Sequence, residues 1–218
     1  MKRSRLVLLF VIGLFVGTSS VSAQSSFGNW IEKLFGRKDT VAVAQNHPDL
    51  AELTVDENLL IPEVNKKLKK KVVAQQGNEA KRLSAIEGYK VSTLRNDEVI
   101  HIEIPASLLF APNETELLPT SDGLLRALLP SLRVPDYYHM LLVMHSDNTG
   151  NNEYCYALTT ERVYSIYYWL EQNGGCIDYV IPYAAGCSEP LLPNNSIAGR
   201  AANRRLEVYL IPAEAMLK

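Results

Sequence analysis

Cysteine and histidine are scarce in this chain, with three of the former and four of the latter among 218 residues. No pair of them has the close spacing that a zinc site requires, so neither a metal nor any other cofactor is expected. The three cysteines, Cys155, Cys176 and Cys187, permit at most one intramolecular disulfide and leave one thiol over. Positive charge is not in surplus either: 22 Lys and Arg stand against 24 Asp and Glu, a balance that argues against general nucleic-acid binding. The one basic run, Lys66 to Lys71 (KKLKKK), reads as the solvated face of a helix. Apolar runs of membrane-spanning length are missing too, since the stretch Leu6 to Val16 falls well short of the about 20 residues that cross a bilayer. The chain is also too short to hold an outer-membrane β-barrel ahead of an α/β domain.

What is present is a composition of 47% hydrophobic and 21% charged residues, ordinary for a globular domain with one sizeable core. Lys2, Arg3 and Arg5 precede the apolar run, which exits through small residues to Val21-Ser22-Ala23. That order describes a secretory signal peptide over residues 1–23, cleaved near Ala23. No cysteine sits at the junction, so lipid attachment there is not expected. Residues 24–88 read as an amphipathic, helical spacer. In it Phe27, Trp30, Ile31, Leu34 and Phe35 form one apolar stripe beside Lys33, Arg37 and Lys38. Such a stripe, within residues 27–38, either meets a membrane or an envelope protein or docks on its own domain. Residues 45–57 look like loop. Pro62 to about Ile86 reads as helix, with Val64, Leu68 and Val72 on one face and Gly77 as an interruption.

From Tyr89 the character changes. YKVSTL and VIHIEI flank the polar RNDE as a hairpin. A helix is expected from Ser121 to Leu132 with a broad leucine face, stopped by Pro135. MLLVM, 140–144, has the unbroken apolarity of a strand covered on both sides. A second helix is expected from Thr160 to Gln172, with Val163, Ile166, Tyr167 and Leu170 at core spacing and Asn173-Gly174-Gly175 as its end. YVIPYAA and LEVYLI supply further strands. The alternation predicts an α/β (α+β) two-layer sandwich over residues 89–212, with two main helices covering one mixed, four-stranded sheet and a tail over 213–218.

Asp147 then falls beyond a strand end, where ligands gather in such folds. Ser-Asp-Asn-Thr-Gly is equally good turn material, and an aspartate there can simply cap backbone amides. Arg162 tilts the balance. If Thr159 caps the second helix, Arg162 stands in its first turn, where the helix dipole repels a cation by about 0.3–1 kcal/mol. A carboxylate bound at that helix end would meet free amides and a guanidinium fork. With Asp147 opposite, the pair would suit an ammonium and a carboxylate on one carbon; the alternative is a direct Asp147–Arg162 bridge. His145, Ser146 and Asp147 are adjacent in sequence, so their side chains diverge, and no nucleophile elbow is present. An enzyme is not expected.

MHSDNTG, ALTTERV and NNSIAGRAANRRLEVYL, in that order, resemble the signature of the OmpA-like C-terminal domain family, which includes Pal and MotB. The resemblance spans Asn96 to Pro212. It implies noncovalent peptidoglycan binding in the periplasm, in association with the cell wall or outer membrane. It further implies that Asp147 holds the ammonium and Arg162 the carboxylate of stem-peptide diaminopimelate, with Arg204 close by and Asn148, Thr149, Cys155 and Asn203 as pocket neighbours. Two departures stand out. Met144 replaces the family's glycine, and Cys155 replaces a common asparagine. Cys155 and Cys187 should lie at the same end of the sheet, where a disulfide could brace the pocket rim; Cys176 belongs at the opposite end as a partly buried thiol.

Overall fold

The computed structural model describes residues 66–133, 137–213 and 216. The leader, the stripe at 27–38 and the loop at 45–57 lie outside them. Helix α1 (Lys66–Ser84) comes first, followed by strands β1 (Lys90–Leu94) and β2 (Val99–Pro105). Two short helices, α2 (Asp122–Arg126) and α3 (Leu129–Leu132), lead to β3 (Tyr138–His145). Then come α4 (Asn152–Gln172), β4 (Val180–Gly186), α5 (Ile197–Asn203) and β5 (Arg205–Pro212).

The sheet is mixed, as expected, but has five strands in the order β1-β2-β5-β3-β4. Only β3 and β4 run parallel. The extra strand is the first arm of the hairpin, β1, whose turn carries Arg95, Asn96 and Asp97 in succession at positive φ. β5 lies in the middle and is buried along its whole length. Period-two alternation divides its side chains. Leu206, Val208 and Leu210 join Ile100, Ile102, Ile104, Met140, Leu142 and Met144 in the main core, while Tyr209 and Ile211 join Leu141 and Val143 on the opposite face.

Three expectations about helices are corrected. Helix α1 passes through Gly77 without interruption. One exposed glycine costs only about 1 kcal/mol, and Val72, Gln76 and Leu83 anchor the helix on a single buried stripe. The Gln76 amide donates to the Glu98 carbonyl at 2.8 Å. The core therefore extends upstream of Tyr89, into residues that composition assigns to a spacer, and downstream to Met216. The helix expected over 121–132 is broken in two, because Pro130 has no amide hydrogen to continue the ladder and occupies the opening turn of α3 instead. Finally, α4 begins at Asn152, well before Thr160. Asn151 is its cap, its side chain accepting from the Tyr154 amide at 2.7 Å.

Candidate functional site

The position of the α4 start changes the meaning of Arg162. The residue lies midway along the helix and is 4% exposed, so the first-turn dipole argument does not apply. Its partners are carbonyls of the loop after β2: Nε donates to Glu114 at 2.8 Å and Nη2 to Ala111 at 3.1 Å. Its guanidinium carbon stands 4.9 Å from the centre of the Phe110 ring. Ser165, one turn on, donates to the Thr115 carbonyl at 2.8 Å. Arg162 thus clamps the 110–115 loop to α4. Burial lowers its pKa, and the nearby positive charge of Arg204 lowers it further.

Asp147 pairs with Arg204, and the direct Asp147–Arg162 bridge is not formed. Sheet register explains the pairing. His145 stands opposite Arg205 in the antiparallel β3/β5 ladder, so Asp147 and Arg204 are neighbours just past its end. Asp147 is 5% exposed. One carboxylate oxygen accepts from the Thr149 amide at 2.8 Å and the other from Arg204 Nη1. Burial would raise this carboxyl, but the Thr149 hydrogen bonds and the Arg204 guanidinium outweigh it and hold the group below the usual carboxylate range. The Arg204 side chain remains 42% exposed. The centre therefore holds one anion and two cations, the outer cation facing solvent.

The other expected residues take different places. Asn148 and Thr149 are exposed on the loop after β3. Asn203 is fully buried and clasps the preceding loop, donating to the Leu192 carbonyl and Asn194 Oδ1, each at 2.8 Å, and accepting from the Leu192 amide at 3.0 Å. It positions Arg204 without facing the centre. Thr159 ties α4 to β4 by accepting from the Gly186 amide at 3.1 Å. Cys155 and Cys187, for which a disulfide is possible, stand here as thiols, the first buried and the second half-buried.

Gly199 is a point of this scaffold where close approach requires glycine. A Cβ on Gly199 would lie 2.2 Å from the Pro193 carbonyl oxygen. Gly199→Ala is therefore expected to destabilise the domain by about 1–3 kcal/mol through overpacking, read as a lower urea midpoint with unchanged slope.

Sequence reasoning missed a second buried charged cluster. Glu207 accepts from Arg205 Nε at 2.6 Å and from the Tyr209 hydroxyl. His101 and His145 approach the same carboxylate at 3.5 and 3.7 Å. Alternation places Glu207 on the sheet face opposite Leu206 and Val208, and that periodicity looks like an ordinary solvated position.

No family model matches the chain. Two curated relatives match, both lipoproteins by name, and the chain spans 61% of the length of one and 82% of the other. The latter, outer-membrane lipoprotein YfiB of Pseudomonas aeruginosa, is 27% identical over 64% of this chain. Among solved structures, a putative MotB-like protein from Desulfovibrio vulgaris superposes with a TM-score of 0.57 at 21% identity, over 66% of this chain and 99% of that one. The cell wall anchor of the type VI secretion system from Pseudomonas aeruginosa gives 0.52 at 22% identity, over 64% and 96%.

Proposed function

The domain is OmpA-like in fold, and from that premise we propose that this chain binds peptidoglycan noncovalently and tethers an envelope component to the cell wall. The ligand is the free end of stem-peptide diaminopimelate, an ammonium and a carboxylate on one carbon. Asp147 takes the ammonium; the exposed Arg204 turns from Asp147 to the ligand carboxylate, with the positive charge of Arg162 behind it. The single observation that supports this best is the pairing of a nearly buried, ionised carboxylate with a half-exposed guanidinium beside a second guanidinium that hydrogen-bonds only backbone carbonyls. Such a centre has a spare positive charge and a lid that can move. Guanidinium forks suit carboxylates.

Co-sedimentation with purified sacculi tests the reading. Asp147→Ala and Arg204→Ala are each expected to weaken binding roughly 30-fold or more, the cost of leaving one ligand charge unpaired. Free diaminopimelate should compete, and cadaverine, which lacks carboxylates, should not. Variants that sediment like the parent would overturn the site.

Two observations favour a second reading, an interaction scaffold with weak or no wall affinity: Arg204 already covers Asp147, and Cys155 stands where the family commonly has asparagine. In that case the N-terminal segment carries the function. Deleting residues 24–44 would then abolish envelope complexes, and the parent chain itself would fail to sediment with sacculi.

A further inference from the structure

Cys155 and Cys187 lie on adjacent backbone segments beside the Asp147 loop. Cys155 lies in the first turns of α4, 1% exposed, and its Sγ donates to the Asp147 carbonyl at 3.3 Å. Cys187 follows the last residue of β4, Gly186, whose φ of 58° turns the chain across the start of α4. The point where Gly186 would carry a Cβ is 3.4 Å from the Tyr156 amide nitrogen and 3.7 Å from the Cys155 carbonyl carbon, so strand end and helix backbone are in contact. Cys187 Sγ reaches Asn152 Oδ1 at 3.4 Å, one turn ahead of Cys155. The Cys155 thiol stands close enough to act electrostatically on the Cys187 thiol. A disulfide needs close Cα atoms and facing Cβ atoms, and this junction brings the two backbones together from elements far apart in sequence.

We propose that Cys155 and Cys187 form a reversible disulfide whose closure withdraws the thiol donor from the Asp147 carbonyl and weakens the grip of that loop on its ligand. The effect on ligand grip rests on the wall-binding reading; formation of the bond does not. Cys187 is the more accessible partner, so its thiolate attacks the disulfide of an oxidised dithiol-exchange protein or of oxidised glutathione, and one thiol leaves with a proton. The Cys155 thiolate then attacks Cys187 Sγ, and the second thiol leaves. Two protein thiols are oxidised and one partner disulfide is reduced to two thiols. Burial and the neighbouring Cys155 push the Cys187 thiol up, so the exchange should accelerate as pH rises above neutral.

The test uses the full chain equilibrated in oxidised or reduced glutathione, alkylated and mapped by mass spectrometry. A linked peptide containing Cys155 and Cys187, lighter by two hydrogens, is expected, with Cys176 alkylated in both conditions. Cys187→Ser should abolish the link and leave sacculus binding equal in both buffers. Three alkylated cysteines under oxidation, or a link through Cys176, would overturn the pairing. For the coupling, the oxidised parent should bind sacculi roughly fivefold more weakly than the reduced parent, the worth of one hydrogen bond. Equal binding of the two forms sinks the coupling. Failure of both forms to bind refutes the wall reading and leaves the mapped bond to be judged on its own.

Discussion

Glu207→Gln is expected to lower the thermal midpoint by roughly 10 °C, more than any other single change considered for this domain. Arg205 is 5% exposed, and the Glu207 carboxylate is its counter-ion at 2.6 Å. Removing one member of a buried ion pair while leaving the other charged costs about 3–5 kcal/mol. Differential scanning calorimetry of parent and variant measures this. The pH dependence gives a second check with a defined sign. Burial would raise the Glu207 carboxyl, but His101, His145 and Tyr209 outweigh it and hold the group well below its ordinary value. A carboxyl depressed on folding contributes its full stabilisation above the unfolded pKa of about 4.3, and loses it as pH falls toward the folded value. The gap between parent and variant should therefore be constant above about pH 5 and narrow on acidification. A gap that widens in acid, or a midpoint shift of less than about 3 °C, would show that Arg205 does not depend on this carboxylate.

Arg162→Ala should separate the loop-clamping role seen in the structure from the ligand-binding role read from the sequence. A residue that only clasps a ligand would lower sacculus binding and leave stability alone. In the structure Arg162 holds two carbonyls of the 110–115 loop and packs over Phe110, so its loss is expected to cost about 3 kcal/mol of stability as well as wall affinity. Asp147→Ala should spare most of that stability, since its partner Arg204 is half-exposed and returns to solvent. Urea unfolding and sacculus sedimentation on the two variants give the comparison. If Arg162→Ala keeps its urea midpoint, the clamp has no energetic weight. Arg162→Lys retains the charge without the fork and should recover binding better than stability.

Much of this organisation is legible in the chain. Val163, Ile166, Tyr167 and Leu170 announce the buried face of α4, and all four are buried there. The unbroken apolarity of 140–144 marks a strand covered on both faces, and β3 is buried at every one of those positions. The chemical types at the centre, one aspartate beyond a strand end with arginines to come, were also legible. Their pairing was not. A helix cap is a local hydrogen bond, and Asn151 and Thr159 look equally able to make it; only the packing of α4 against β3 and β4 selects the earlier start.

Patterning and residue chemistry by themselves determined the fold class, the core faces and the candidate charges, because each depends on short-range periodicity or on the identity of one side chain. The partner of each charge was decided only by tertiary structure. Asp147 meets Arg204 through the antiparallel register of β3 and β5, while Arg205 and Glu207, two apart on β5, become a buried ion pair because β5 lies between two neighbouring strands. Such pairings join residues far apart in sequence or hide a polar residue on an alternating strand, and no local pattern records which neighbour the sheet will place beside them.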